Sequence, residues 1–110
     1  MNKYGNKKVK VDGKIFDSVR EANRYMELRL LERGRKIRDL ELQKPFILIP
    51  AQYEGSKCVE RACKYVADFY YFDIEKNRYV CEDTKGMRTK DYIIKRKLML
   101  KVFGIKITEI

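Results

Sequence analysis

Asp68-Phe69-Tyr70-Tyr71-Phe72-Asp73, then Ile74-Glu75-Lys76-Asn77, then Arg78-Tyr79-Val80-Cys81-Glu82-Asp83-Thr84-Lys85: the fold turns on this stretch. The first six residues are strongly aromatic, the last seven alternate, and the four between have the polarity of a turn, which together predict an antiparallel hairpin. With Ile74 to Asn77 as the turn, Asp73 pairs with Arg78. Stepping back along both strands then sets Phe72 opposite Tyr79, Tyr70 opposite Cys81 and Asp68 opposite Asp83. Side chains two apart share a face, so Asp83 and Lys85 lie with Tyr79 and Cys81 while Glu82 and Thr84 point away. A shift of one residue would separate the two aspartates.

Working outward, Gln43–Pro50 and Cys58–Val66 are rich in apolar and β-branched residues and flank Tyr53-Glu54-Gly55, predicting two strands and a turn. Before them, Ser18-Val19-Arg20-Glu21 matches a capping box, and Val19, Ala22, Tyr25, Met26 and Leu30 fall on one helical arc that Gly34 ends. Val9–Phe16 alternates around Asp12-Gly13, a dipeptide suited to a type I′ turn. Beyond the central hairpin, Gly86 breaks the strand, Thr89 caps a second helix running to about Phe103, Gly104 ends it, and Ile105–Ile110 alternates as a last strand. The expected order is ββ-α-ββββ-α-β, an α/β class with a mixed α+β sheet. A mobile basic lead, Met1–Lys8, would precede a single domain over residues 9–110.

Composition narrows the chemistry. Among 110 residues, 26 Lys and Arg against 16 Asp and Glu give a formal charge of +10, pointing to a polyanionic partner. With no histidine, imidazole bases, Ser-His or Cys-His nucleophile pairs and ordinary zinc sites are excluded. Acid-base or metal chemistry then falls to carboxylates and lysine. Cys58, Cys63 and Cys81 form no CxxC pair, and their odd number argues against a disulfide framework. No window approaches the ~20 apolar residues of a membrane span, so a cytoplasmic location without membrane partners is expected.

Two carboxylates directly opposed on a sheet resist joint ionisation unless a cation intervenes. Mg²⁺ or Mn²⁺, held by one or two carboxylates with water and substrate phosphate, fits a site without Cys or His ligands. Beside such a cation, Lys85 can position the attacking water and stabilise negative charge on phosphate. The competing account makes Asp68 and Asp83 exposed strand residues, with Lys85 in a surface ion pair of little weight.

Val66-Ala67-Asp68-Phe69, a hairpin, Cys81-Glu82-Asp83-Thr84-Lys85-Gly86 and a following helix resemble the core of the PD-(D/E)XK nuclease superfamily. From Ser18 onward, the resemblance implies a restriction-endonuclease-like αβββαβ core, here with an added N-terminal β-hairpin. It implies metal ligands at Asp68 and Asp83, a catalytic lysine at Lys85 and an accessory glutamate ligand at Glu21. Ala67 stands where such nucleases often carry proline. Glu21 also sits where a capping-box glutamate belongs, and the two roles can coexist. The resemblance is closest to short phage- and prophage-encoded proteins and to transposition and junction-resolving nuclease domains. The function implied is metal-dependent DNA endonuclease activity, in phage DNA processing or junction resolution, with no small-molecule cofactor. The alternative is a catalytically inactive nuclease fold that binds DNA or a protein as a phage accessory module.

Arg88, Lys90, Lys95, Arg96 and Lys97, with the amides at the start of the second helix, form a candidate phosphate-binding face. The bland alternative is a solvated helix face. Apolar residues from Ile93 to Phe103 surround that helix, so a homodimer is an expected partner arrangement. The aromatics from Tyr65 to Phe72 can stack on bases, yet such runs in a central strand are more often core. RNA binding is a third reading, indifferent to loss of Asp83.

Overall fold

Asp12 and Gly13 both adopt positive φ, 52° and 76°, as a type I′ turn demands, in a computed structural model that describes residues 8–84 and 88–110. The turn joins β1 (Val9–Val11) to β2 (Lys14–Phe16), with Val9 paired to Phe16. The expected lead therefore lies, but for Lys8, outside the described residues, as do Lys85 and Gly86.

Helix α1 (Val19–Arg33) starts where its cap predicts, the Ser18 hydroxyl accepting from the Glu21 amide at 3.1 Å. It ends at Gly34, as expected. Gly34 has φ −79° and the left-handed residue is Arg35 at φ 59°, while the Lys36 amide reaches back to the Leu31 carbonyl at 2.9 Å. A non-glycine left-handed residue costs about 1–2 kcal/mol, and glycine's extra freedom when unfolded offsets about 0.5–1 of that. Arg35→Gly is therefore expected to stabilise the fold by about 0.5–1 kcal/mol. Thermal melts of the two proteins check this; a lower Tm in the variant contradicts it.

The remaining elements are β3 (Ile37–Ile49), β4 (Gln52–Glu54), β5 (Lys57–Glu60), β6 (Cys63–Asp73), β7 (Arg78–Asp83), α2 (Lys90–Leu98), a π-helical turn (Met99–Phe103) and β8 (Thr108–Glu109). Three predicted boundaries are corrected. The strand expected at Gln43 begins at Ile37. The strand expected over Cys58–Val66 divides, its first part pairing with β4 around Gly55 and its second running unbroken into the aromatic strand, since nothing in Val66-Ala67-Asp68 interrupts an extended chain. Five strands, not four, thus separate the helices. The last strand shrinks from six residues to Thr108–Glu109. The second helix does end at Gly104, left-handed at φ 68°, after a π-helical last turn.

The fold is α/β: a mixed four-stranded sheet in the order β3-β6-β7-β8, with two helices and an N-terminal hairpin. The turn Ile74–Asn77 forms where predicted and makes β6 and β7 antiparallel, whereas β8 runs parallel to β7 through Glu82↔Thr108 and Asp83↔Glu109.

The chain forms two compact units. One comprises the described residues up to Leu40 with Tyr71–Tyr79. There the Phe16 and Tyr25 rings stack at 4.9 Å, the Tyr25 hydroxyl donates to Asp12, and Ala22 and Leu28 are buried. Phe72 meets Tyr79 edge-on at 5.1 Å, as the predicted pairing requires. The other comprises Glu41–Tyr70 and the described part of Val80–Ile110. Its core is Phe46, Leu48, Tyr65, Ala67, Cys81, Tyr92, Met99 and Ile107.

Candidate carboxylate site

Along β6, Tyr65, Ala67, Phe69 and Tyr71 are buried while the alternate positions are more open, so Asp68 occupies a partly exposed position. On β7, by contrast, Cys81, Glu82, Asp83 and Thr84 are all buried. The site is built at this end of the two strands.

Asp68 and Asp83 are each held by a hydroxyl-bearing neighbour. Asp68 Oδ2 accepts from both the Thr84 amide and the Thr84 hydroxyl, each at 2.8 Å. Asp68 Oδ1 accepts from Gln43 Nε2 at 3.4 Å. Asp83, 1 % exposed, accepts at Oδ2 from the Tyr65 hydroxyl at 2.6 Å. Thr84 thus holds one of the two aspartates and Tyr65 the other. Next to Asp83 in the parallel ladder, Glu109 takes the Tyr92 hydroxyl at 2.6 Å and Arg96 at 3.3 Å, and pairs with Arg88 through two guanidinium nitrogens. The Tyr65 and Tyr92 rings lie 6.4 Å apart. Two adjacent carboxylates therefore each carry a tyrosine hydroxyl.

The Cys81 thiol is pushed up to about 12, first by burial and then by the carboxylates of Asp83, Asp68 and Glu82. Burial, then the bond to Asp83, raises Tyr65; burial, then the bond to Glu109, raises Tyr92. Glu109 is held below the usual glutamate range by the Tyr92 hydrogen bond and then by Arg88. Raised pKa values favour the protonated folded form, so this stability is fully present below the ordinary thiol value of 9.0 and is lost as pH climbs toward 12. The urea midpoint is expected to fall across that window, and to fall less steeply in Cys81→Ala. A midpoint indifferent to pH over the same range contradicts the coupling.

Glu21 is a residue of the first unit, 7 % exposed on α1, where its amide takes part in the Ser18 cap. Lys85 lies outside the described residues. No group of three or more Cys, Asp or Glu placed to hold a metal occurs among the described residues.

A family whose description reads "Protein of unknown function (DUF1064)" matches residues 1–110. The chain belongs to the DUF1064 family. No curated protein and no solved structure matches it. No helix among the described residues of this DUF1064 chain is long and apolar enough to cross a membrane. Its basic candidates fall into two sets: Arg88 and Arg96 converge on Glu109, whereas Lys90 and Lys97 are exposed and Lys95 is half-buried. Thr89 caps α2 as predicted, accepting from the Tyr92 amide at 3.1 Å. Sequence reasoning missed Tyr65, Gln43 and Glu109 as partners of the site. Tyr65 lies 18 residues from Asp83 and Gln43 lies 25 from Asp68, separations that no local spacing rule covers.

Proposed function

We propose that this DUF1064 protein is a metal-dependent DNA endonuclease that hydrolyses phosphodiester bonds, with Asp68 and Asp83 holding Mg²⁺ or Mn²⁺. The observation that carries this reading is a buried acidic pair in a protein of net charge +10: Glu82 and Asp83 are each 1 % exposed at the end of β7, where Thr84 also holds the Asp68 carboxylate. An oxygen-only donor set is what hard divalent cations select. When bound, such a cation supplies Lewis-acid stabilisation of phosphate charge and a more acidic water.

The chain's own residues take the remaining tasks. Thr84 fixes Asp68 through two hydrogen bonds and Tyr65 fixes Asp83 through one, so both carboxylates arrive oriented. Lys85, two residues beyond Asp83, supplies the cation that would steady developing negative charge on the phosphate. Exposed Lys90 and Lys97 on α2 provide backbone contacts that give affinity without sequence readout. Cleavage of supercoiled, linear, single-stranded and four-way-junction DNA with Mg²⁺ or Mn²⁺ tests the proposal against Asp83→Asn. Binding without cleavage by either protein would favour the inactive accessory module.

A further inference from the structure

Gln43 stands in the interior of β3 with φ 52°, a left-handed backbone that a long side chain rarely adopts and that a continuous strand does not require. Residues kept in such conformations persist where their surroundings over-determine them, and kinks in strands commonly re-aim a side chain beside a functional site. Here the re-aimed amide reaches Asp68, Nε2 donating to Oδ1 at 3.4 Å. The other carboxylate oxygen, Oδ2, already takes both Thr84 donors at 2.8 Å. Gln43 in β3 and Thr84, the residue after β7, thus hold the two oxygens of one carboxylate, and together they fix its tilt.

The residue type matters. A lysine in this place would neutralise Asp68 and compete with a cation for it; a glutamate would repel it. A neutral amide donates a hydrogen bond while leaving the negative charge in place, which is what a ligand to a divalent cation needs. We propose that Gln43 is a positioning residue of the site, setting the Asp68 carboxylate in the orientation that accepts a divalent cation. This inference rests on the cation-binding reading of Asp68 and Asp83 given above.

The test is Mn²⁺ titration of the full chain by calorimetry, for the wild type, Asp68→Asn, Gln43→Ala and Gln43→Gly, with thermal melts of each. Both Gln43 variants lose the amide, but only Gln43→Gly also relieves the left-handed backbone, so it should melt higher than Gln43→Ala and remains folded for the titration. Mn²⁺ affinity is expected to fall about tenfold in both, the size typical of losing a partner behind a metal ligand, and to vanish in Asp68→Asn. A kink with a purely structural role would show the difference in melting and leave affinity unchanged. Wild-type affinity in both Gln43 variants, with binding lost in Asp68→Asn, overturns this inference and leaves the cation site standing. Absence of Mn²⁺ binding by the wild type overturns both.

Discussion

Asp83→Asn is expected to abolish metal-dependent cleavage while leaving the protein folded. Asparagine matches aspartate in shape and keeps an oxygen to accept the Tyr65 hydroxyl, so the 2.6 Å contact has a replacement. Asp83 is 1 % exposed, and removing a buried charge removes its desolvation cost, so the melting temperature should hold or rise. The ligand charge, however, is gone. Electrostatic assistance from a bound cation amounts to several kcal/mol, and each 1.36 kcal/mol is about tenfold in rate, so a loss of at least about 10³-fold in kcat is expected. Initial rates under saturating Mn²⁺, beside circular dichroism melts, decide the matter. A folded variant that cleaves within about tenfold of the wild type would remove Asp83 from the chemistry.

Phe69→Ala should produce the largest loss of stability. Phe69 has no exposed surface and sits in β6 immediately after Asp68. Truncating a buried phenylalanine costs about 3–5 kcal/mol, from lost transfer energy and the cavity left behind. Against a typical total of about 5–15 kcal/mol, that takes much of the margin. At about 4–8 °C per kcal/mol for a domain near this size, Tm should fall by roughly 15 °C or more. Ile94→Ala, on a side chain 57 % exposed, should change stability by no more than about 0.5 kcal/mol. Denaturant titration of both variants checks the contrast; similar losses would mean that burial does not set the energetics at these two positions.

What was legible in the sequence was local. Asp12-Gly13, the Ser18 cap, the Ile74–Asn77 turn, the Thr89 cap and Gly104 each act on backbone within a few residues, and each is found where its chemistry places it. Phe72 opposite Tyr79 follows because it lies close to that turn. Farther from the turn, Asp83 takes the hydroxyl of Tyr65, a partner 18 residues away that no local spacing rule selects. Strand β3 was half hidden because its first residues, Ile37 to Leu40, include charged Arg38 and Asp39, both exposed, which interrupt its alternation where Asp39 is left-handed. Burial of Glu82 and Thr84 was illegible for another reason. It depends on what packs over β7 from distant parts of the chain, and even its parallel neighbour β8 arrives by a helical crossover that no local pattern orients.

The pair of tyrosines on adjacent carboxylates gives the molecule an optical property. With eight tyrosines and no tryptophan, its near-ultraviolet absorption belongs almost entirely to phenol rings. Two of those rings, Tyr65 and Tyr92, are buried and donate to Asp83 and Glu109, so their transitions are tuned by the charge on the carboxylates they touch. Whatever settles on Asp83 alters the electron density on the Tyr65 phenol oxygen. The chain thus carries a built-in chromophore beside its acidic centre, and a difference spectrum can report occupancy there without a label.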